Sequence, residues 1–258
     1  MKFSIITVVK NDQENISKTI TSVLSQNYKN FEYIILDGFS KDKTYEEIKK
    51  FKKFKRIKII RTRDKNLYDG INKAIKISNG KYIGLMHSGD LYTSNSILSK
   101  VSKEIKSYDL LSSNLCFFNN NKVTRYWCYD IKKLDKWTFF KIAHTTLFVK
   151  RKILKKNPYN IKYKISSDTD LIIKLLSLNL KYKYFNFLCI FMKDDGLSTS
   201  FSNLLRKVRE DLKIYFYHFK FLFFYFYISK ILFKLFKLLT QNKNFASERK
   251  LKKLLIKT

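Results

Sequence analysis

The sequence is poor in residues that interrupt or cross-link a chain, with one proline, six glycines and three cysteines among 258 residues. The cysteines are irregularly spaced and form no C-x-x-C pair, which argues against a disulfide framework and a cysteine-based zinc site. No uncharged apolar run approaches the roughly 20 residues of a membrane-spanning helix, and the amino terminus lacks the apolar core of a signal peptide. These absences predict a cytoplasmic chain with free thiols.

Acidic residues are also scarce, since 21 Asp and Glu stand against 53 Lys and Arg and give a formal net charge of +32. Such an excess indicates a polyanionic partner, which would be nucleic acid, an anionic membrane surface or a phosphate-bearing substrate. The alternative is a bias of composition, because Lys, Asn, Ile, Phe and Tyr dominate the whole chain. The charge alone leaves both explanations open.

Several common motifs are missing. The chain has no P-loop and no G-x-G-x-x-G segment, so the ATPase and dinucleotide-dehydrogenase classes lack their phosphate-binding loops. It also has no G-x-S-x-G nucleophile elbow. The basic residues are spread along the chain and no RRM, KH or helix-turn-helix pattern is visible, so nucleic acid is not the expected partner.

Strand-like and helix-like patterns alternate over the first third of the chain. The apolar, β-branched run 3–9 is typical of a strand buried on both faces. The same rhythm continues with helix 12–26, strand 31–38, helix 40–51, strand 56–62, helix 66–78 and strand 81–86. This alternation predicts an α/β fold with a Rossmann-like, doubly wound and mostly parallel sheet.

Polar groups follow three of these strands, at 10–12, 37–38 and 87–90. In such sheets ligands bind beyond the carboxyl ends of the strands, so we expect the three groups to converge on one edge. A single aspartate after a strand usually caps a turn or a helix. Acidic groups at three successive strand ends favour a ligand site instead.

The last segment, 201–258, has its own composition, with 14 Lys and Arg, 3 acidic residues and 14 aromatics. Lys220, Lys230, Lys234 and Lys237 recur at roughly helical spacing beside aromatic faces. This pattern predicts a helical extension that lies on a membrane surface, with aromatics at the acyl boundary and lysines at anionic headgroups. A buried helix with lysine stems along its surface and an oligomer interface are the alternatives.

Six segments occur in a fixed order: "ITVVKND", "QNYKNFEYIILDGFSKDKT", "RDKNLYDGINKAI", "NGKYIGLMHSGD", "SSDTDL" and "DGLS". Together they resemble glycosyltransferase family 2, and in particular the bacterial enzymes that build capsule, O-antigen or exopolysaccharide chains. The resemblance covers residues 1 to about 200. It implies a GT-A fold, a nucleotide-diphosphate sugar donor with UDP favoured, Mg²⁺ or Mn²⁺, and inversion at the anomeric carbon.

The resemblance also assigns residues to the donor. Ser88 and Gly89 match the part of the metal motif that faces the donor. The other donor-binding positions are Thr7, Val9 and Asn11 at the nucleotide, Asp37 and Ser40 at the base or ribose, and Asp64, Asp69 and Lys73 near the diphosphate.

Two further carboxylates receive catalytic roles from the resemblance. Asp90 would be the metal ligand, although Gly89 stands where the family often has an aspartate. Asp168 would be the base that takes the acceptor proton, with Asp170 as the competing candidate, since the two positions point roughly 200° apart on a helix. His144 is placed on the acceptor or metal side, or is a packed histidine beside an apolar strand.

These inferences predict a glycosyltransferase domain over 1–200, with a nucleotide-sugar half (1–115) and an acceptor half (116–200) that holds the base. The tail 201–258 would associate with the membrane. The predicted function is inverting, metal-dependent transfer to a saccharide acceptor, lipid-linked at the inner face of the cytoplasmic membrane. The alternatives are a nucleic-acid-binding basic protein and a catalytically inactive scaffold of the same fold.

Overall fold

The computed structural model describes residues 2–119, 122–129, 134–194 and 201–239. Helices and strands alternate in its first half, as the sequence predicts. The strands are β1 (Phe3–Val9), β2 (Phe31–Asp37), β3 (Ile57–Arg61), β4 (Tyr82–Leu85), β5 (Leu91–Tyr92), β6 (Leu110–Asn119), β7 (Lys122–Trp127), β8 (Phe148–Lys150) and β9 (Tyr182–Lys193). The α-helices are α1 (Ile16–Leu24), α2 (Thr44–Lys49), α3 (Leu67–Ile77), α4 (Ile97–Glu104), α5 (Arg151–Lys156), α6 (Ser167–Leu176), α7 (Phe201–Phe219) and α8 (Phe223–Leu239).

The described strands form one sheet in the order β3-β2-β1-β4-β8-β6-β9-β5, and β7 pairs with the outer part of β6. The first four strands are parallel. Their apolar side chains alternate between two core layers, with Ile6 and Ile34 on one face and Ile5 and Ile35 on the other. The doubly wound α/β architecture is therefore confirmed.

The second half of the sheet is mixed. β8 runs antiparallel to both β4 and β6, and β5 runs antiparallel to β9, while β9 is parallel to β6. The antiparallel β8 joins the parallel half to the rest of the sheet. The expectation of a mostly parallel sheet thus holds for the first half and not for the second.

The second helix is shorter than its sequence pattern suggests. The pattern places a helix over 40–51, but α2 begins at Thr44. Phe39 has a left-handed backbone with φ of 53°, and Asp42 accepts hydrogen bonds from both the backbone nitrogen and the hydroxyl of Thr44. The residues before Thr44 therefore form a turn whose hydrogen bonds compete with helix formation.

The carboxyl-terminal part is a hairpin of α7 and α8, joined by a short 3₁₀ turn over Lys220–Leu222. Ile214, Tyr215 and Phe226 belong to the main hydrophobic core, so one face of the hairpin is packed against the sheet domain. Among the described helices, none is long and apolar enough to cross a bilayer. Residues 240–258 and the "DGLS" segment lie outside the described part of the chain.

One predicted headgroup lysine faces inward. Lys230 is buried and its Nζ lies 2.8 Å from Oδ2 of Asp211, so the prediction that it contacts a membrane is wrong. Lys220 at the turn is exposed, as predicted. The side chains of Lys234 and Lys237 are outside the described set.

Candidate active site

The loops after β1 and β2 are hydrogen-bonded to each other at the carboxyl edge of the sheet. Asn11 adopts a left-handed backbone with φ of 54°, and its N–H donates to Oγ of Ser40 at 2.9 Å. Its side-chain oxygen accepts from the backbone nitrogen of Lys41 at 2.8 Å. Parallel strands in neighbouring positions bring these loops together, as the sequence analysis expected.

Asp37 is fully buried and its carboxylate is held by protein groups. It accepts from Nε of Arg61 at 2.8 Å and from the backbone nitrogen of Ser40. The Arg61 guanidinium lies over the rings of Phe39, at 4.7 Å, and Tyr45, at 4.3 Å. Asp37 thus fixes the two loops that follow β2 and β3, and Phe39 remains 43% exposed beside them.

Thr7 and Val9 lie inside the sheet. The Thr7 hydroxyl donates to the carbonyl of Met86 at 2.6 Å and shares a 2.8 Å hydrogen bond with the Tyr33 hydroxyl. Val9 is 4% exposed. A nucleotide in this cleft would therefore meet the backbone after Val9 rather than these two side chains.

Asp64, Asp69 and Lys73 form one ion cluster at the start of α3. Nζ of Lys73 lies 2.7 Å from Oδ1 of Asp64 and 3.1 Å from Oδ2 of Asp69. Hydrogen bonding to Asp64 is the main reason that the pKa of Lys73 is raised. Asn66 caps α3 by accepting from the backbone nitrogen of Asp69. The cluster favours the protonated form of Lys73. Because Asp64 and Asp69 already partly neutralise this charge, Lys73 would attract a phosphate less strongly than an unpaired lysine.

A tight turn follows β4 and carries the proposed metal motif. Gly89 has φ of +93°, a left-handed backbone that side chains rarely adopt, and a Cβ there would lie 3.2 Å from Cδ of Lys193. This explains why glycine stands where an aspartate is common in the resembling family. The Gly89 N–H donates to Oγ1 of Thr19 at 2.9 Å. Oγ of Ser88 is buried and without a hydrogen-bond partner among the described residues.

Asp90 is 2% exposed, and its two carboxylate oxygens differ. Oδ1 accepts from the backbone nitrogen of Lys193 at 3.1 Å, whereas Oδ2 is buried and has no partner within the described part of the chain. Burial raises the pKa of Asp90 to about 7, against the opposing effects of the Lys193 N–H and of His144. An orphaned buried carboxylate oxygen fits a cation.

The described ranges contain no group of three or more His, Cys, Asp and Glu that could hold a metal ion. Within these ranges Asp90 could therefore offer a cation only one carboxylate. Mg²⁺ typically binds through one or two carboxylates together with substrate phosphates and water. The residues present fit an ion that arrives with a diphosphate rather than one resident in a protein cage.

A hydrogen-bonded chain runs from this turn to α6. Nε2 of His87 lies 2.9 Å from Nε2 of His144, and Nδ1 of His144 lies 2.9 Å from Oδ2 of Asp168. A neutral His144 that donates from Nδ1 to the carboxylate accepts at Nε2 from His87, whereas a protonated His144 donates from both nitrogens and His87 accepts. Burial, with the charge of His144, lowers the pKa of His87 to about 3, which keeps this ring neutral.

Asp168 lies on the first turn of α6, with 17% of its side chain exposed. Burial alone would raise the pKa of Asp168, but the charge and hydrogen bond of His144 and the charge of Lys207 outweigh it and hold this pKa far below its usual range. The hydroxyl of Tyr68 lies 3.4 Å from Oδ1 and donates to the carbonyl of Ile165 at 2.6 Å. Asp168 is therefore ionised, oriented and still accessible.

Asp170 occupies the other side of α6 and is buried. It lies 2.8 Å from Nε2 of His218 in α7 and 2.6 Å from Nζ of Lys174. The contact with His218 ties α6 to the hairpin, whereas Lys174 lies one turn further along α6 itself. The geometry favours Asp168 over Asp170 as a group that could reach a substrate.

Sequence reasoning named His144 but not its contact with Asp168, and it missed two further residues that support this arrangement. His87 stood inside the "HSGD" segment, yet its contact with His144 spans 57 residues and has no local signal. Glu210 of α7 was also missed. Its carboxylate accepts from the backbone nitrogens of Lys164, Ile165 and Ser166, all at 2.9 Å, and so holds the loop in front of α6.

Comparison with solved structures identifies the fold class. The S. aureus TarS fragment solved with UDP-GlcNAc matches with a TM-score of 0.67 at 16% identity, over 83% of this chain and 66% of that one. The mannosyltransferase PcManGT from Pyrobaculum calidifontis, solved with GDP-Man and Mn²⁺, matches with a TM-score of 0.63 at 12% identity, over 83% and 63%. The chain has the GT-A fold, as expected from the sequence.

The family model for glycosyl transferase family 2 matches residues 4–164, and the chain belongs to this family. A glycosyltransferase of Methanocaldococcus jannaschii is 32% identical over 69% of this chain and 66% of its own length. The Escherichia coli UDP-Glc:alpha-D-GlcNAc-diphosphoundecaprenol beta-1,3-glucosyltransferase WfaP is 37% identical over 40% of this chain and 39% of its own length. The chain thus spans less than two thirds of the length of these relatives.

Proposed function

We propose that the protein is an inverting glycosyltransferase that transfers a hexose from a nucleotide-diphosphate donor to a lipid-linked saccharide acceptor in bacterial surface-polysaccharide synthesis. The observation that carries this proposal is the His87–His144–Asp168 chain. It links the turn that holds Asp90 to the helix that holds Asp168, and so supports one cleft with a diphosphate side and an acceptor side.

The reaction would be a direct displacement at the anomeric carbon. Asp168 accepts the proton of the acceptor hydroxyl, the acceptor oxygen bonds to the anomeric carbon, and the bond to the diphosphate oxygen breaks with its electron pair leaving on the nucleoside diphosphate. Attack opposite the leaving group inverts the configuration. His144 orients the Asp168 carboxylate, and Lys73, the cation of the α3 cluster, would approach the diphosphate.

A divalent cation, Mg²⁺ or Mn²⁺, is part of the proposal. Asp90 would hold it through Oδ2, with diphosphate oxygens and water completing its ligands. Bound there, the ion would neutralise charge on the leaving diphosphate.

The relatives support a particular acceptor class. WfaP and a second E. coli relative, WfgD, carry names that specify a UDP-Glc donor and a GlcNAc-diphosphoundecaprenol acceptor. We therefore expect a UDP-sugar donor and an acceptor whose sugar is attached to a lipid through a diphosphate. No nucleic acid is expected as a partner.

The exposed face of the α7–α8 hairpin supports a peripheral location on the inner face of the cytoplasmic membrane. Phe221 at the turn is 99% exposed, and other exposed large hydrophobic side chains lie close to it in the sequence. The exposed set on this surface is Phe216, Tyr217, Leu222, Phe224 and Tyr225. Exposed aromatics on both sides of Lys220 in the sequence suit an interface with anionic lipid.

The proposal is tested with a panel of nucleotide sugars, each with and without Mn²⁺, read by release of the nucleoside diphosphate in the presence of acceptor. One donor that turns over, with the activity lost in Asp168→Asn, would support it. No turnover with any donor would favour an inactive scaffold. A salt-dependent shift of nucleic acid at physiological ionic strength would favour a nucleic-acid-binding protein.

A further inference from the structure

A basic groove lies between α7 and the loop in front of the base helix. Its volume is about 570 Å³, within the range of small-molecule sites. The polar side chains that line it are Lys162, Tyr163, Arg206, Arg209, Glu210 and Lys213. It is separate from the turn that carries Asp90.

Three of its cations form a stripe along one helix. Arg206, Arg209 and Lys213 stand at positions i, i+3 and i+7 of α7, which places them on one face. All three are exposed, while Glu210 on the neighbouring face is buried. Lys162 adds a fourth exposed cation from the facing loop.

These four charges have no acidic partner in the part of the chain that the structure describes. Within the described ranges, none of the four side chains takes part in an ion pair. The one acid that lines the groove is Glu210, and its carboxylate is used by the backbone nitrogens of Lys164, Ile165 and Ser166. The groove therefore presents a concentrated positive charge to an incoming anion.

The choice of arginine here is unusual for this chain, which has only eight arginines among its 53 basic residues. Of the seven that the structure describes, five contact a ring, a carboxylate or a carbonyl: Arg56, Arg61, Arg63, Arg125 and Arg151. Arg206 and Arg209 have no such contact among the described residues. Their planar guanidinium groups suit paired hydrogen bonds to phosphate, which lysine does not provide.

The groove lies close to the proposed base. Glu210 forms its wall and also holds Ser166, two residues before Asp168. Lys207 on the same helix is near enough to contribute to the lowered pKa of Asp168. From Arg209 the chain continues for twelve residues to the exposed Phe221, about 18 Å at the helical rise.

We propose that this groove binds the diphosphate of the lipid-linked acceptor, with Arg206 and Arg209 as its main ligands. The inference rests on the proposed function and adds a second phosphate site to it. The acceptor sugar would then lie at Asp168, its diphosphate in the groove, and its hydrocarbon chain along α7 toward Phe221.

The test measures binding of farnesyl diphosphate, a short alkyl diphosphate, to the full chain in neutral detergent without anionic lipid. We expect the double variant Arg206→Gln, Arg209→Gln to bind it at least tenfold more weakly than the unchanged protein, and farnesol to bind both equally. A matched control, Lys155→Gln with Lys156→Gln, removes two exposed charges from α5 and should leave binding unchanged.

Three results would overturn the inference: equal weakening in the control pair, no weakening in the arginine pair, or a tenfold weakening by Asp90→Asn, which would assign the diphosphate to the donor cleft. Inorganic pyrophosphate as competitor separates a lipid headgroup from a free anion, since the headgroup should bind more tightly through its alkyl chain. Donor turnover by the arginine pair is measured in parallel. If turnover persists while alkyl diphosphate binding is unaffected, only this inference fails; if the unchanged protein has no turnover, the proposed function fails.

Discussion

Lys230 of α8 and Asp211 of α7 form an ion pair that is buried between the two helices, with 2.8 Å between Nζ and Oδ2. Burial lowers the pKa of Lys230, and the carboxylate of Asp211 opposes this effect. The Nζ of Lys230 also lies 5.3 Å from the centre of the Tyr215 ring. The pair therefore joins the two helices of the hairpin at a point away from solvent.

Removing one partner should be costly. Lys230→Met leaves Asp211 charged and buried, and we expect a loss of about 3–5 kcal/mol in the free energy of unfolding. The melting temperature should fall by roughly 6–20 °C for a domain of this size. The exposed Lys220→Met is the matched control and should change little. The double variant Lys230→Met, Asp211→Leu should recover most of the loss; a double variant as unstable as the single one would contradict this account.

Asp168→Asn should lower kcat by about 10²- to 10⁴-fold, because the amide cannot accept the acceptor proton. The donor KM should stay within a factor of about two or three, since the substitution keeps size and shape. Steady-state kinetics with the active donor would measure both. Asp170→Asn is the control: it should reduce thermal stability through its contacts with His218 and Lys174 but retain most of the activity. The reverse pattern would make Asp170 the base.

His144 is expected to act as a positioning residue that also sets the protonation of Asp168. Burial raises the pKa of Asp168 and His144 is the largest influence that lowers it, so His144→Leu should raise this pKa. In the unchanged protein kcat/KM should show no acid limb from Asp168 above about pH 4. In His144→Leu such a limb should appear at higher pH. In His144→Gln, which keeps an N–H donor, the limb should lie at a pH between those of the unchanged protein and the leucine variant. A drop in rate with an unchanged pH profile would indicate a purely structural role.

Ionisation of Asp90 should make the stability of the fold depend on pH. Its pKa is raised from 3.8 to about 7 in the fold, so the unfolded chain binds fewer protons between these values and stability falls as pH rises through about 7. In metal-free protein, Asp90→Asn should therefore increase the melting temperature more at pH 8 than at pH 5, by several degrees. Asp12→Asn, on a nearby strand-end loop, serves as control. Asp90→Asn should also lose Mn²⁺ binding, measured by electron paramagnetic resonance with nucleoside diphosphate present. Mn²⁺ binding that persists in this variant would rule out Asp90 as a ligand.

The hairpin surface can be tested with vesicles. Phe221→Asp with Leu222→Asp should reduce partition onto vesicles that contain phosphatidylglycerol at least tenfold, because each buried side chain contributes about 1.5–3 kcal/mol. Phe54→Asp with Ile77→Asp introduces the same charge at exposed apolar sites elsewhere and should have a smaller effect. An equal reduction by the two pairs, read by co-sedimentation, would show that net charge rather than this surface governs binding.

The fold was predictable because its first half follows a period that the sequence displays. Buried strands such as β1 and β2 are continuous apolar runs, and α3 has a capping asparagine and an amphipathic stripe. The bounds of α2 were not predictable from periodicity, because the Asp42–Thr44 turn competes with the helix. The inward turn of Lys230 also has no local signal, since it depends on a buried aspartate 19 residues away.

The candidate site was predictable as a set of strand-end carboxylates and not as a geometry. Position in the chain indicates that the groups at 37 and 90 follow strands of one sheet, and these strands, β2 and β4, lie on either side of β1. It does not indicate that the Asp37 carboxylate accepts a hydrogen bond from Arg61, or that the rings of His87 and His144 are hydrogen-bonded. Such contacts arise from packing between elements that are far apart in sequence.

Glu210 gives the hairpin a second meaning. Because its carboxylate holds the backbone of Lys164, Ile165 and Ser166, cutting the chain near residue 200 would expose three amide donors and loosen the turn from which Asp168 projects. Deletion of the tail is thus not a clean way to separate anchoring from chemistry. It also follows that exchanging such tails between relatives should succeed only when Glu210 and the loop at 164–166 are exchanged together.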